Sequence, residues 1–150
     1  MATLSTNTPT EILQRFYAAE AVYMATPPDS PEASTNFDAM AACFAPDLKV
    51  YQPKDLPWGG TWEGTEGFLA WGKVMKGYFD KLEPEPIRIL DDGKETVVVE
   101  SIIHVRIKGT GEEHDVRLVQ IATVDLEKGV IKDIRQYPFE MKEVLARLGK

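Results

Sequence analysis

Cysteine occurs once and histidine twice in this 150-residue chain, and 17 basic side chains face 24 acidic ones. The single Cys43 excludes an intrachain disulfide. Its neighbours Met40, Ala41, Ala42 and Phe44 mark it as a buried thiol in a helix rather than a nucleophile. His104 and His114 lack a compact set of carboxylates around them, so no metal site is expected. HExxH, the phosphate loop and the dinucleotide glycine pattern are all missing, and no cofactor is expected. A formal charge of -7 and the lack of a Lys/Arg stripe argue against a nucleic-acid partner. No apolar run is long enough to span a bilayer, and "MATLSTNTPT" lacks the basic start and apolar stretch of a secretory signal. A soluble, cytoplasmic protein without membrane insertion is the expectation.

Hydrophobic residues make up 43% of the chain, enough for one domain over residues 1–150 with its own core. Residues 1–8 are expected to be flexible. Thr8-Pro9-Thr10-Glu11 then reads as a helix start, with Thr8 as cap, Pro9 at the first position and Glu11 completing a capping box. Ile12, Phe16, Ala19 and Tyr23 follow at helical spacing. Prolines in "TPPDSPEAST" end the helix. A short helix after Thr35, a brief strand in "LKVYQP" and an irregular loop in "KDLPWGGTWEG" come next. A third helix is expected from Glu66 to Leu82, with Phe68, Trp71, Met75, Phe79 and Leu82 on one face.

From there the apolar period drops to two. Strands are expected at Pro86–Leu90, Thr96–Ile107, His114–Asp125 and Val130–Tyr137, the last three as antiparallel neighbours, then a C-terminal helix of about ten residues. Helices followed by a meander predict an α+β layer fold in which a twisted sheet curls around the helices.

Glu100 and His104 interrupt the apolar strand "VVVESIIHVRI". Alternation puts them with Val98 and Ile102, opposite Val97, Val99, Ser101, Ile103 and Val105. If that mixed face lines a pocket, Glu100 is the first choice for an acid or base, because desolvation raises a carboxyl's pKa toward working pH. The competing reading is an exposed glutamate paired with Arg106, Arg117 or Lys132. His104 is a second acid/base candidate, with ordinary hydrogen bonding as the alternative. Tyr17 and Tyr51 can hold a substrate oxygen or satisfy their hydroxyls within the core. Glu20, one turn past Tyr17, can share its environment, with an exposed helix residue as the preferred reading. Trp58 and Trp62 sit where they form an apolar rim for a ring or plug the core. Gln120 and Gln136 are candidates to approach a cavity from the last strands, with Tyr137 competing with Gln136 for the inner face.

The order of elements, with "CFAPDLKVYQP", "GGTWEGTEGF" and "GVIKDIRQYPF", resembles the NTF2-like fold, in particular SnoaL-like and ketosteroid-isomerase-like proteins. The resemblance implies a cone-shaped domain: a curved, mostly antiparallel sheet wrapped around N-terminal helices, a C-terminal helix, an apolar cavity and a homodimer. The steroid-isomerase pattern has its general base where this chain has Gln52. Its oxyanion-hole tyrosine falls nearest Phe16, beside Tyr17, and its protonated aspartate near Gln120. Those identities argue against ordinary ketosteroid isomerase chemistry, since an amide is no general base and phenylalanine no donor. The expected function is a cofactor-independent isomerase, cyclase or dehydratase acting by proton transfer on a hydrophobic polycyclic molecule, with polyketide or terpenoid secondary metabolism as the setting. Glu100, His104, Tyr17 and Gln120 are the expected catalytic groups. Tyr51, Trp58, Trp62, Gln136, Phe16 and Met75 are the expected substrate contacts. A noncatalytic binder of hydrophobic ligands and a dimeric partner-binding domain are the alternatives.

Overall fold

The structure, a computed structural model, describes residues 7–150. The expected flexibility of residues 1–8 therefore lies, for residues 1–6, outside the described residues. Thr8 caps helix α1 (Pro9–Ala25), its hydroxyl accepting from the Glu11 N–H at 3.1 Å. Ile12, Leu13, Phe16, Glu20 and Tyr23 form the buried face of this helix.

Helix α2 (Ala33–Ala41) begins three residues earlier than the sequence suggests and ends before Cys43, which is buried in the turn that follows. Strand β1 (Phe44–Gln52) is longer than expected, and its pairing register shifts between Phe44 and Lys49, around Pro46. The segment expected to be irregular contains strand β2 (Gly60–Glu63), paired antiparallel to β1. The turn before it requires glycine at position 59. A Cβ there would stand 2.2 Å from the Pro53 carbonyl oxygen.

Helix α3 (Gly64–Tyr78) stops four residues short of Leu82, and strand β3 (Phe79–Asp91) takes over. Phe79 and Leu82 continue the apolar helical spacing of α3, which is why the sequence reads as helix past its true end. Pro84 and Pro86 then forbid one. Both fit β3 because it lies at the sheet edge, where strand prolines are tolerated. Strands β4 (Thr96–Ile107), β5 (Glu113–Asp125) and β6 (Val130–Phe139) form the meander read from the sequence. The C-terminal helix α4 (Lys142–Arg147) has six residues rather than about ten.

The six strands make one sheet in the order β2-β1-β6-β5-β4-β3, antiparallel except where β1 runs beside β6. On β4 the odd-numbered residues Val97, Val99, Ser101 and Val105 are buried toward the helices. This curved sheet around α1 and α3 is the α+β cone expected from the sequence. Among the described residues, no helix is long and apolar enough to cross a membrane.

Candidate functional site

The concave face of the sheet and the buried faces of α1 and α3 enclose a cavity of about 90 Å³. Phe16, Trp58, Phe68, Trp71 and Phe79 supply rings to its walls, with Met75, Val105 and Ile134 between them. The less buried Leu82, Pro84, Pro138 and Met141 mark its more open side. Glu140, with φ 62, turns the chain there from β6 toward α4. A wider groove of about 840 Å³ shares Tyr17, Phe79, Leu82 and Pro84 with the cavity.

The cavity volume is below the roughly 150 Å³ of an engineered cavity that admits benzene. One ring therefore fits only with some displacement of unbranched walls such as Met75, and the rest of a larger molecule would lie in the groove.

Five polar side chains reach this space: Tyr17, Glu20, Gln52, Gln120 and Gln136. The amides come from three adjacent strands. Gln120 on β5 pairs in register with Gln136 on β6, and Gln52 follows the β1–β6 pair Tyr51–Arg135 by one residue. The Tyr17 hydroxyl donates to Gln120 Oε1, and Gln120 Nε2 donates to Gln136 Oε1 at 2.9 Å. That direction leaves the Gln136 NH2 group as the free end of the relay, a neutral donor suited to a ligand oxygen. Burial holds the Tyr17 phenol well above the usual phenol range, and the nearby Glu20 carboxylate charge adds to this. The Ser101 hydroxyl opposes both, favouring phenolate, although its geometry falls short of a hydrogen bond.

Glu20 sits among these groups with 9% of its surface exposed. Among the described residues, its carboxyl has neither a hydrogen-bond partner nor a counter-ion. Burial alone pushes its pKa up from 4.5 to about 8. A carboxyl in this state keeps its proton near neutrality and can deliver it, the condition for a general acid. The sequence reading of Glu20 as exposed is corrected. Ile12, Phe16 and Glu20 recur at intervals of four on the α1 face that meets the sheet, so the helix that buries Phe16 buries Glu20 as well. That spacing was the available signal; Ala19, at the neighbouring position, is only half-buried.

The expected roles of Glu100 and His104 are corrected too, because β4 turns its even-numbered residues outward. Neither lines the cavity. Glu100 is half-buried on the outer face, opposite Arg88 on β3 and Val119 on β5. His104 bridges Glu85 and Asp115, its Nε2 2.8 Å from Glu85 and its Nδ1 2.7 Å from Asp115. These hydrogen bonds, Glu85's first, raise its pKa.

Tyr51 likewise faces outward, its ring 4.9 Å from the Arg135 guanidinium, and is not a cavity residue. Trp62 packs beside the core rather than in the cavity wall, donating its indole N–H to the Trp58 carbonyl at 3.1 Å. Phe16, Tyr17, Trp58, Met75, Gln120 and Gln136 are at the cavity as expected. Tyr137 does not displace Gln136 from the inner face: it points out with 51% of its surface exposed. Gln52, Phe16, Tyr17 and Gln120, the positions matched to steroid-isomerase roles, all converge on this space.

An α+β cone with an apolar, ring-walled cavity and a short polar strip defines the NTF2-like class. Within it, the chain belongs to the SnoaL-like domain family, whose model matches residues 13–134. Solved structures agree on the fold. TerC, co-crystallised with polyporic acid, superposes with a TM-score of 0.74 at 15% identity over 95% of this chain and 98% of TerC. An NTF2-like protein from Burkholderia xenovorans LB400 gives 0.68 at 22% identity, over 94% of this chain and 96% of its own. An NTF2-like protein of unknown function from Burkholderia pseudomallei K96243 gives 0.73 at 16% identity, over 94% and 97%. No curated protein matches the sequence. The superfamily includes members that bind or transform small molecules.

Proposed function

We propose that the protein is a cofactor-independent isomerase, cyclase or dehydratase that moves a proton on a hydrophobic small molecule, with Glu20 as the proton carrier. The observation that carries this reading is the unpartnered Glu20 carboxyl at an apolar cavity, its pKa lifted by burial to about 8. Burying a carboxyl without a partner works against stability, so this group needs a reason to be there. The amide strip complements it, since Gln136 and Gln52 can hold the substrate oxygen while Glu20 addresses a neighbouring atom. The apolar walls keep competing water from the reactive intermediate.

Carbon-13 spectra of glutamate-labelled protein, titrated across neutrality, test the reading. One carboxyl is expected to titrate near pH 8 and to vanish from the spectra of Glu20→Gln. If Glu20 instead titrates at the ordinary glutamate value of about 4.3, the proton-transfer role falls. A neutral ring ketone, cyclohexyl methyl ketone, is expected to change the fluorescence of Trp58 and Trp71, which line the cavity.

The outer face of the sheet supports a homodimer as the working assembly. Val98, Ile102, Val119 and Ile121 are half-buried there, and Tyr137 and Phe139 are 51% and 61% exposed on β6. These apolar residues, with Glu100 and Arg117 set among them, form a sheet face that suits a self-complementary contact across a two-fold axis. Sedimentation velocity is expected to give a dimer that Val119→Lys converts to a folded monomer; a monomeric wild type at about 100 μM, well above a micromolar Kd, would refute it.

A further inference from the structure

The charge inventory of the cavity narrows the kind of reaction it serves. Among the described residues, no Lys, Arg or His lines it, and Glu20 is the sole lining carboxyl. Negative charge developing on a bound molecule would meet only neutral donors, the amides and the indole N–H of Trp71, which is buried without a partner among the described residues, and no cation. Positive charge would meet walls built from the aromatic rings of Phe16, Tyr17, Trp58, Phe68, Trp71 and Phe79, and the carboxylate that proton donation leaves on Glu20. Nor does the site supply a carboxylate at position 52, where Gln52 faces the cavity.

We infer that catalysis is acid-first and passes through a positively charged intermediate held between the aromatic walls and the Glu20 carboxylate. This rests on the proton-transfer reading above and specifies its direction. Glu20 gives its proton to a substrate carbonyl oxygen or alkene carbon. The substrate's π pair forms the new O–H or C–H bond, leaving positive charge on the adjacent carbon. Loss of a proton from a neighbouring C–H to the Glu20 carboxylate then closes the new double bond and restores the acid. In a cyclising substrate, an internal alkene attacks the cation before that proton is lost. Atoms and electrons balance without any co-reactant.

A stable ammonium ion of similar shape should mimic the intermediate. N,N-dimethylcyclohexylamine, protonated at pH 7, is compared by calorimetry with the near-isosteric cyclohexyl methyl ketone in buffers of different ionisation enthalpy. The amine is expected to bind about tenfold tighter than the ketone, displacing about one proton from Glu20 into the buffer. Glu20→Gln is expected to cost the amine about thirtyfold in affinity, abolish the proton release and leave ketone affinity within about threefold. An amine bound no tighter than the ketone, or bound without proton release, overturns the acid-first inference even where ketone binding leaves the parent reading standing. Failure of both probes to bind sinks both. The proton count is taken on wild-type protein, so it stands independently of how well the variant folds.

Discussion

Raising the pH from about 5 to about 8.5 is expected to destabilise the wild-type protein by roughly 3.5–4 kcal/mol relative to Glu20→Gln. The folded-state pKa of Glu20 is raised, to about 8 from 4.5. Below the lower value the group is protonated in both folded and unfolded chains and contributes nothing to the pH dependence. Between the two values the unfolded chain releases the proton while the folded chain retains it. The unfolded state then binds fewer protons, so stability falls as pH rises, and the loss is complete above the folded pKa. Each pH unit of that gap is worth about 1.4 kcal/mol, which sets the size of the effect. Urea unfolding of both proteins at the two pH values measures it. His104, Asp80, Asp91 and Asp92, whose pKa values also move on folding, occur in both proteins and cancel in the difference. Parallel stability curves would mean that Glu20 is solvated as an ordinary surface glutamate.

Much of the frame was legible because local rules and the tertiary fold agree there. Thr8 caps the helix its sequence announces, and β4 spans the residues whose period is two. The α3–β3 boundary was not legible, since Phe79 and Leu82 continue the helical spacing of α3 and both reach the cavity from β3 only where its register shifts between Phe79 and Lys81. The position of β3 at the sheet edge makes a proline-bearing strand acceptable there. Parity on β4 was also readable: the sequence separates Val97, Val99, Ser101 and Val105 from Glu100 and His104. Which of the two sets faces the helices depends on the direction in which the sheet curls. The set that is apolar except for the small Ser101 does, and the mixed set lies outside. For Glu20 the difficulty was different. Its place in the Ile12–Phe16 row was visible, but a glutamate near a helix middle is usually solvated, and composition gives that prior no reason to yield. Only the sheet closing over α1 does so.

That same burial makes the catalytic test sharp. With any hydrophobic ketone or alkene that the protein turns over, Glu20→Gln is expected to lower kcat by about 10²–10⁴-fold, the usual worth of a positioned proton donor. A glutamine keeps the size and neutrality of protonated Glu20 but has no proton to transfer at working pH, so substrate affinity should change little. The wild-type rate carries a second signature. Because the donor must be protonated, kcat/KM is expected to hold steady below pH 8 and decline as pH rises through that value, following ionisation of Glu20. A base-first enzyme using the same residue would show the opposite limb, with activity rising through the same range. Glu100→Gln and His104→Ala serve as controls, because both side chains lie on the outer face away from the cavity; each should leave kcat within about twofold and the pH profile in place. Loss of turnover in Glu100→Gln with retention in Glu20→Gln would move the chemistry to the other side of the sheet, where the fold provides no enclosure to keep water from the intermediate.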